Sequence, residues 1–233
     1  MIKGAEIYVG PEKRLYSTGD ANVLIYEFLG GAAPYDGEEI PAVPTKPVRN
    51  AKIAAAVFSL LESKGVPTHF LRSAGETAME IRAMKGFPMT IACRNIAAGG
   101  FAKRLGMPEG EVLPVPVVEF RLDKKPDRKR YPAGLFTEIT DGDVKMIQTK
   151  SVVVAKTLFA FFGAHGLSLA DFSLEFGRDA EGWTRVCGAI TPDTCRLWHK
   201  DVHEKIDRDR FRRTLRGTEA DYIDVLHRIT SKV

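Results

Sequence analysis

Four short stretches of this chain set arginines beside carboxylates and glycines. They are Cys93-Arg-Asn-Ile-Ala-Ala-Gly-Gly-Phe-Ala-Lys-Arg-Leu-Gly106, Leu174-Glu-Phe-Gly-Arg-Asp179, Ile190-Thr-Pro-Asp-Thr-Cys-Arg-Leu-Trp198 and Asp209-Arg-Phe-Arg-Arg213. A guanidinium is a planar fork that can grip an oxyanion through two parallel hydrogen bonds, so such stretches suit phosphate and carboxylate ligands. For any single arginine a structural ion pair is the plain alternative. Basic residues also gather at Lys124–Arg130 and at Arg208–Arg216. Clusters of this kind attract phosphate, although a solvated loop is the simpler reading of the first, and Asp207 and Asp209 interrupt the second. Neither is a basic stripe interleaved with aromatics, so no nucleic-acid partner is expected. His199 and His203 would share a face if their stretch were helical, which leaves a neutral-pH acid–base role open for His199 beside ordinary surface placement. Two histidines without a third ligand are weak grounds for a metal.

The elements that must position these groups can be read in outline. Residues 5–9, Lys13–Tyr16 and Val23–Phe28 form a β-meander with turns at Gly10-Pro11 and Gly19-Asp20. Gly30 to Pro47 carries four prolines and reads as a loop. Ala51–Lys64 reads as a helix with Ile53, Val57, Leu60 and Leu61 on one face and Gly65 as its stop. Further strands are expected over Phe70–Ile91, broken at Gly86-Phe-Pro88, then a short helix at Ala98–Leu105, a strand at Val115–Leu122 and a buried helix at Ser151–Ala164. A hairpin is expected around Ala180-Glu-Gly182. Helices follow at Asp207–Leu215 and Thr218–Ser231, the last capped by Thr218 and burying Tyr222, Val225, Leu226 and Ile229. Strands dominate the first third and helices the last, without βαβ alternation, which argues for an α+β fold.

The bulk numbers bound the class. A chain of 233 residues fits one large domain or two small lobes, and 44% hydrophobic with 27% charged residues is ordinary for a soluble protein. No window approaches the roughly 20 apolar residues of a spanning helix, and the opening Met1-Ile-Lys-Gly-Ala-Glu has no signal-peptide core. Cys93, Cys187 and Cys195 have no ligand spacing and read as reduced thiols. A cytoplasmic protein with no membrane partner is therefore expected.

The four stretches quoted above resemble those of the SAICAR synthetase family, the purine-pathway ligases that join aspartate to a carboxyaminoimidazole ribonucleotide with ATP. Recognisable motifs run from about Gly10 to Arg213. The resemblance implies two α+β lobes flanking an ATP-grasp-like cleft. Residues 1–85 would form a small N-terminal β-rich lobe covering ATP, and residues 86–233 a larger α+β lobe. It implies a homodimer. By the same resemblance Arg94, Arg196 and Arg212 hold substrate phosphate and carboxylate. Asp36, Lys46, Asn50, Gly100 and Asp209 fall on substrate-binding positions, Lys13 on a nucleotide-phosphate position, and Asp193 on a site acid that could equally be a turn residue. Glu175 matches a Mg²⁺ ligand and is a candidate catalytic group together with Asp193 and His199.

Several family features are missing. The phosphate turn Gly-Lys-Ala-Lys reads Gly10-Pro-Glu-Lys13 here, and the second metal ligand, in an Asp-Glu pair, is Gly188-Ala189. The lysine of Asp-Phe-Lys-Leu is Ser173, the serine after Ala-Ala-Gly is Gly100, and an Asp-Pro-x-x-Asn loop gives way to Lys124–Arg130. These losses fall on ATP, Mg²⁺ and aspartate while the ribonucleotide arginines remain. They imply an enzyme on an aminoimidazole or purine-type ribonucleotide that has left aspartate ligation for a step of coformycin- or pentostatin-type nucleoside biosynthesis. The alternatives are a working SAICAR synthetase using ATP, Mg²⁺ and aspartate, and a non-catalytic nucleotide-binding protein.

Overall fold

A computed structural model describes residues 3–31, 43–122, 137–200, 215 and 218–231. Two antiparallel sheets and four helices make up the described chain, an α+β arrangement as expected. The first sheet contains β1 (Glu6–Val9), β2 (Lys13–Ser17), β3 (Val23–Phe28), β4 (Phe70–Ser73) and β5 (Ala78–Arg82), in the order β1-β2-β3-β5-β4. The β1–β2 turn closes where the Gly10 amide donates to the Lys13 carbonyl at 2.9 Å. A Cβ on Gly10 would come within 2.5 Å of the Tyr8 hydroxyl, so the tyrosine can fold over the turn only because this residue is glycine. Leu15 pairs with Tyr26 across β2 and β3. Alternation then sends Lys13, Leu15, Leu24 and Tyr26 to one face.

Helix α1 (Lys46–Ser63) lies against this sheet. It begins five residues before the expected Ala51. Pro47 does not delay it, because a proline in the first turn lacks an N–H that would have no intrahelical partner anyway. Ala54 and Phe58 are buried with Ile53, Val57 and Leu61, because α1 is covered on a second side by the last helix, α4 (Glu219–Thr230). Gly65 ends the turn after α1 at φ +74.

The second sheet contains β6 (Lys85–Gly86), β7 (Met89–Ile96), β8 (Val112–Leu122), β9 (Leu167–Arg178), β10 (Thr184–Cys187) and β11 (Cys195–His199). Strands run β10-β9-β7-β8, with β11 on the first half of β9 and β6 on its end. The β9–β10 hairpin turns at 180–182, as its glycine indicates. Between β7 and β8 sits the short α2 (Gly99–Leu105). Helix α3 (Asp141–Ala164) packs across β7, β8 and β9 through Ile147, Val154, Ala155, Leu158 and Phe162. It starts ten residues before the expected Ser151 because its first turns are polar. A Thr140–Asp143 capping box begins it, each side chain bonded to the other residue's backbone N–H.

The chain passes from the first sheet to the second between β5 and β6. The two parts are nonetheless joined. One apolar core runs from Tyr26, Phe58 and Met79 to Ile91, Leu158, Phe176 and Val225. A parallel bridge between Thr68 and Val186 links the two parts, with the His69 amide donating to the Val186 carbonyl at 2.9 Å. No described helix is long and apolar enough to cross a membrane.

Candidate functional site

Asp171 lies on β9 between two arginines. The strand register sets Arg94 of β7 opposite it on one side and Arg196 of β11 opposite it on the other, the latter at an irregularity where β11 shifts register after Arg196. Directly opposed residues of antiparallel strands bring their side chains together. The Asp171 Oδ2 accordingly lies 3.5 Å from Arg94 Nη1 and 3.2 Å from Arg196 Nη1. All three side chains are buried. Arg94 also donates through Nε to Glu119 of β8 at 2.7 Å, and Arg104 of α2 reaches the other oxygen of the same carboxylate. Hydrogen bonds from the two guanidiniums hold the Glu119 carboxyl below its usual range, although its partial burial works the other way. The Arg94 guanidinium sits over the ring of Phe101, 4.7 Å from its centroid. Gly100, the neighbour of Phe101, lies in the first turn of α2. Two of the expected arginines therefore meet, organised by carboxylates that their own motifs did not single out.

A second buried cluster surrounds Asp193. The turn Thr191-Pro-Asp-Thr194 between β10 and β11 is closed by the Thr194 amide on the Thr191 carbonyl and by the Thr191 amide on the Thr194 hydroxyl. Asp193 is thus a turn residue, as its place after proline suggests, and its carboxylate is also engaged by helices. Asn50 Nδ2 donates to Oδ2 at 2.6 Å, Lys46 Nζ lies 3.4 Å from the same oxygen, and the Tyr222 hydroxyl donates to Oδ1 at 2.6 Å. Lys46 is fully buried at the start of α1 and donates also to the Gly31 carbonyl at 2.7 Å. A carboxylate only accepts, so the Asn50 amide must face it with its nitrogen. Among the described residues this leaves the buried Asn50 Oδ1 with no hydrogen-bond partner.

The third group of residues lines a cavity of about 100 Å³ where the two sheets face each other. Tyr8, Leu15, Leu24, Tyr26, Ile81 and Met84 make its apolar walls, and Lys13, His69, Glu175 and Gly188 its polar end. Lys13 Nζ is 3.6 Å from Glu175 Oε2 and 5.5 Å and 5.9 Å from the ring centroids of Tyr26 and Tyr8. Burial disfavours the lysine's charge, but the Glu175 carboxylate and its anionic surroundings outweigh this and raise its pKa well above the ordinary value. His69 is driven down to about 3 by burial and by the Lys13 charge, so its ring is neutral. Leu24 and Met84 are shared with an adjoining cleft of about 510 Å³ that reaches Arg178, Asp179 and Thr137. Together the two spaces fall within the range of ligand sites, roughly 300–1,000 Å³.

The donor set does not fit a metal ion held by the protein. Among the described residues no three His, Cys, Asp or Glu side chains group as ligands. Glu175 is the one carboxylate among the described residues lining the cavity, and an ammonium already faces it. Opposite stands Gly188 at φ +79, which has no side chain to offer a metal, and a Cβ there would come within 2.9 Å of the Glu175 carboxylate carbon, so that carboxylate would have to move to admit one. Magnesium demands near-octahedral oxygen coordination, and a lone, charge-paired carboxylate is a poor start for it.

Other expectations fare differently. His199 is the last residue of strand β11, so the helical face shared with His203 does not exist at that residue. Its Nε2 lies 3.7 Å from Asp224 Oδ2 on α4. Asp36, Asp209, Arg212, His203 and the basic segment Lys124–Arg130 lie outside the described residues.

A family model described as SAICAR synthetase matches residues 6–229. Among curated proteins, the chain is 38% identical over its whole length to the whole of a phosphoribosylaminoimidazole-succinocarboxamide synthase from Deinococcus deserti. It is 35% identical to the protein of that name from Bacillus subtilis, over 98% of this chain and 97% of the relative. Among solved structures it is similar to a SAICAR synthetase in complex with ADP, with a TM-score of 0.81 at 31% identity, covering 97% of this chain and 98% of the other. The SAICAR synthetase from Pyrococcus horikoshii aligns with a TM-score of 0.76 at 30% identity, covering 94% and 98%.

Proposed function

The chain belongs to the SAICAR synthetase family, and from that premise we propose that it is a C–N ligase which uses ATP to join the amine of aspartate to the carboxylate of a carboxyaminoimidazole ribonucleotide. The observation that carries this reading is the meeting of Arg94 and Arg196 on Asp171, a preorganised pair of guanidiniums on a rigid sheet. In this reading they bind the ribonucleotide's phosphate and carboxylate, with Arg212 as a third contact. ATP lies in the cavity between the sheets. Its base rests on Leu15, Leu24, Ile81 and Met84, and its phosphates face Lys13. Transfer of the γ-phosphoryl group to the substrate carboxylate gives an acyl phosphate and ADP. The aspartate amine then attacks the acyl carbon, and phosphate leaves with loss of a proton. Asp193, ringed by Lys46, Asn50 and Tyr222, fixes the wall of the substrate pocket. A homodimer is expected, as the resemblance implies.

A second reading is the changed reaction on the same ribonucleotide, in a coformycin- or pentostatin-type pathway. It is favoured by Pro11, Ser173 and Gly188, which by the resemblance stand where the ligases carry a phosphate-turn lysine, an amino-acid-side lysine and a metal ligand, and by Glu12, a carboxylate inside the phosphate turn. The relatives reported above carry the ligase's name, and this supports ordinary ligation as the leading reading. Incubation with carboxyaminoimidazole ribonucleotide, ATP and L-aspartate decides between them. Release of ADP together with the succinocarboxamide product, followed by mass spectrometry, is expected. Ribonucleotide binding with no ADP release would transfer the case to the second reading.

A further inference from the structure

We infer that Glu175 acts as the counter-ion of Lys13 and not as a metal ligand, so that the nucleotide end of the cavity receives phosphate on this lysine without a divalent cation held by the protein. The inference rests on the reading of the cavity as the nucleotide site.

Three independent features converge on it. The first is placement: Lys13 Nζ stands 3.6 Å from Glu175 Oε2, flanked by the rings of Tyr8 and Tyr26, so the ammonium already occupies the anionic side of the cavity. A second cation at Glu175 would meet a like charge at close range, a repulsion strengthened by apolar walls. The second feature is backbone shape. Gly188 lies at φ +79, a conformation costly for other residues, and its missing Cβ leaves the space that the Glu175 carboxylate fills, with 2.9 Å to both Cδ and Oε2. The side opposite Glu175 therefore presents main chain and no side-chain ligand. The third is the donor count: among the described residues Glu175 is the one carboxylate in the lining, beside a neutral His69 whose Nε2 has no hydrogen-bond partner among them. These groups make a lysine-based anion site with a nearby carboxylate restraining it.

The two roles of Glu175 predict opposite signs. As a metal ligand, Glu175→Gln weakens the binding of a magnesium nucleotide. As a counter-ion, the same change releases Lys13 from its partner and strengthens the binding of phosphate. Side-chain exposure of 50% makes Glu175 an easy residue to replace without unfolding the protein, and a thermal melt of the variant checks this.

The experiment is calorimetric titration of the full chain with ADP, for the wild type and Glu175→Gln, each in Mg²⁺ and in EDTA. Wild-type affinity is expected to be within about threefold in the two buffers, and the variant about tenfold tighter in both. Lys13→Met should lose about tenfold or more. Tightening of the wild type by tenfold or more in Mg²⁺, or weaker binding by Glu175→Gln, overturns the inference while leaving ATP-dependent ligation intact. Failure of ADP to bind any of these proteins in either buffer overturns the nucleotide reading itself, and this inference with it.

Discussion

The phenol of Tyr222 donates a 2.6 Å hydrogen bond to Oδ1 of Asp193 and so ties the last described helix, α4, to the turn that precedes β11. A hydrogen bond to a buried carboxylate contributes about 1.5–3 kcal/mol. Tyr222→Phe is therefore expected to lower unfolding free energy by about that amount, measured by urea denaturation. It should also weaken ribonucleotide binding, because Asn50 and Lys46 then hold Asp193 alone. A variant with unchanged stability would show that the Asp193 carboxylate finds an equal partner elsewhere.

Asp171 is the shared partner of two buried guanidiniums. Removing one side of such a buried pair costs up to about 3–5 kcal/mol, and less where a guanidinium keeps another carboxylate, as Arg94 keeps Glu119. Asp171→Asn should lower the stability of the protein by an amount of that order, seen as a clear drop in melting temperature. Arg196→Lys keeps the charge and loses the fork. It is expected to lose about tenfold in ribonucleotide affinity while ADP binding stays the same, which calorimetry with each ligand would reveal.

Much of this was legible in the chain. The meander, the Gly65 stop, the Thr218 cap and the 180–182 hairpin all follow from local chemistry that the structure reproduces. Arg94, Arg196, Lys46, Asn50 and Asp193 were singled out, and the structure gathers them into two clusters. What could not be read was partnership. Asp171 and Glu119 touch arginines through strand register, over separations of 77 and 25 residues, and no local pattern encodes that. Tyr222 was expected on a buried face, correctly, but a buried face does not reveal where its hydroxyl points. Alternation along β9 could have found Asp171, since it puts Asp171, Ser173 and Glu175 on one side. The early start of α3 escaped because its first turns have the polarity of a loop.

Folding should depend on pH through His69. Its pKa in the folded protein is about 3, against 6.5 for an ordinary histidine. Between these values the unfolded chain binds a proton that the folded chain refuses. Stability is thus complete above about pH 6.5 and falls as pH drops below it, with a slope approaching about 1.4 kcal/mol per pH unit from this one group. His69→Gln should flatten the loss between pH 7 and 5 when denaturation curves are compared. An equal loss in both proteins would assign the dependence to other groups.

The thiols should be silent in the native state. Cys93, Cys187 and Cys195 are buried. Burial drives the Cys93 thiol up to about 12, with Ser151 and Arg94 opposing, and drives Cys187 upward as well. Because the thiolate is the reactive form, a chromogenic disulfide reagent should react slowly with folded protein and titrate all three cysteines in denaturant. Rapid labelling of one thiol in native buffer would mean that its surroundings open readily.

Strand β9 carries Asp171, Ser173 and Glu175 on one side, and Phe172, Leu174 and Phe176 into the core beneath α3. It therefore works as a ruler. Asp171, where the arginines gather, and Glu175, where Lys13 approaches, are four residues apart, about 13 Å at the rise of an extended chain. That interval is fixed by covalent geometry and by pairing on both edges. Any hinge-like opening of the first sheet would carry Lys13 away from Glu175 but could not change the spacing between the two ends of the site. In the proposed ligation, a substrate that presents one anionic group to the arginines and its reactive group toward the nucleotide would thereby be selected by its length.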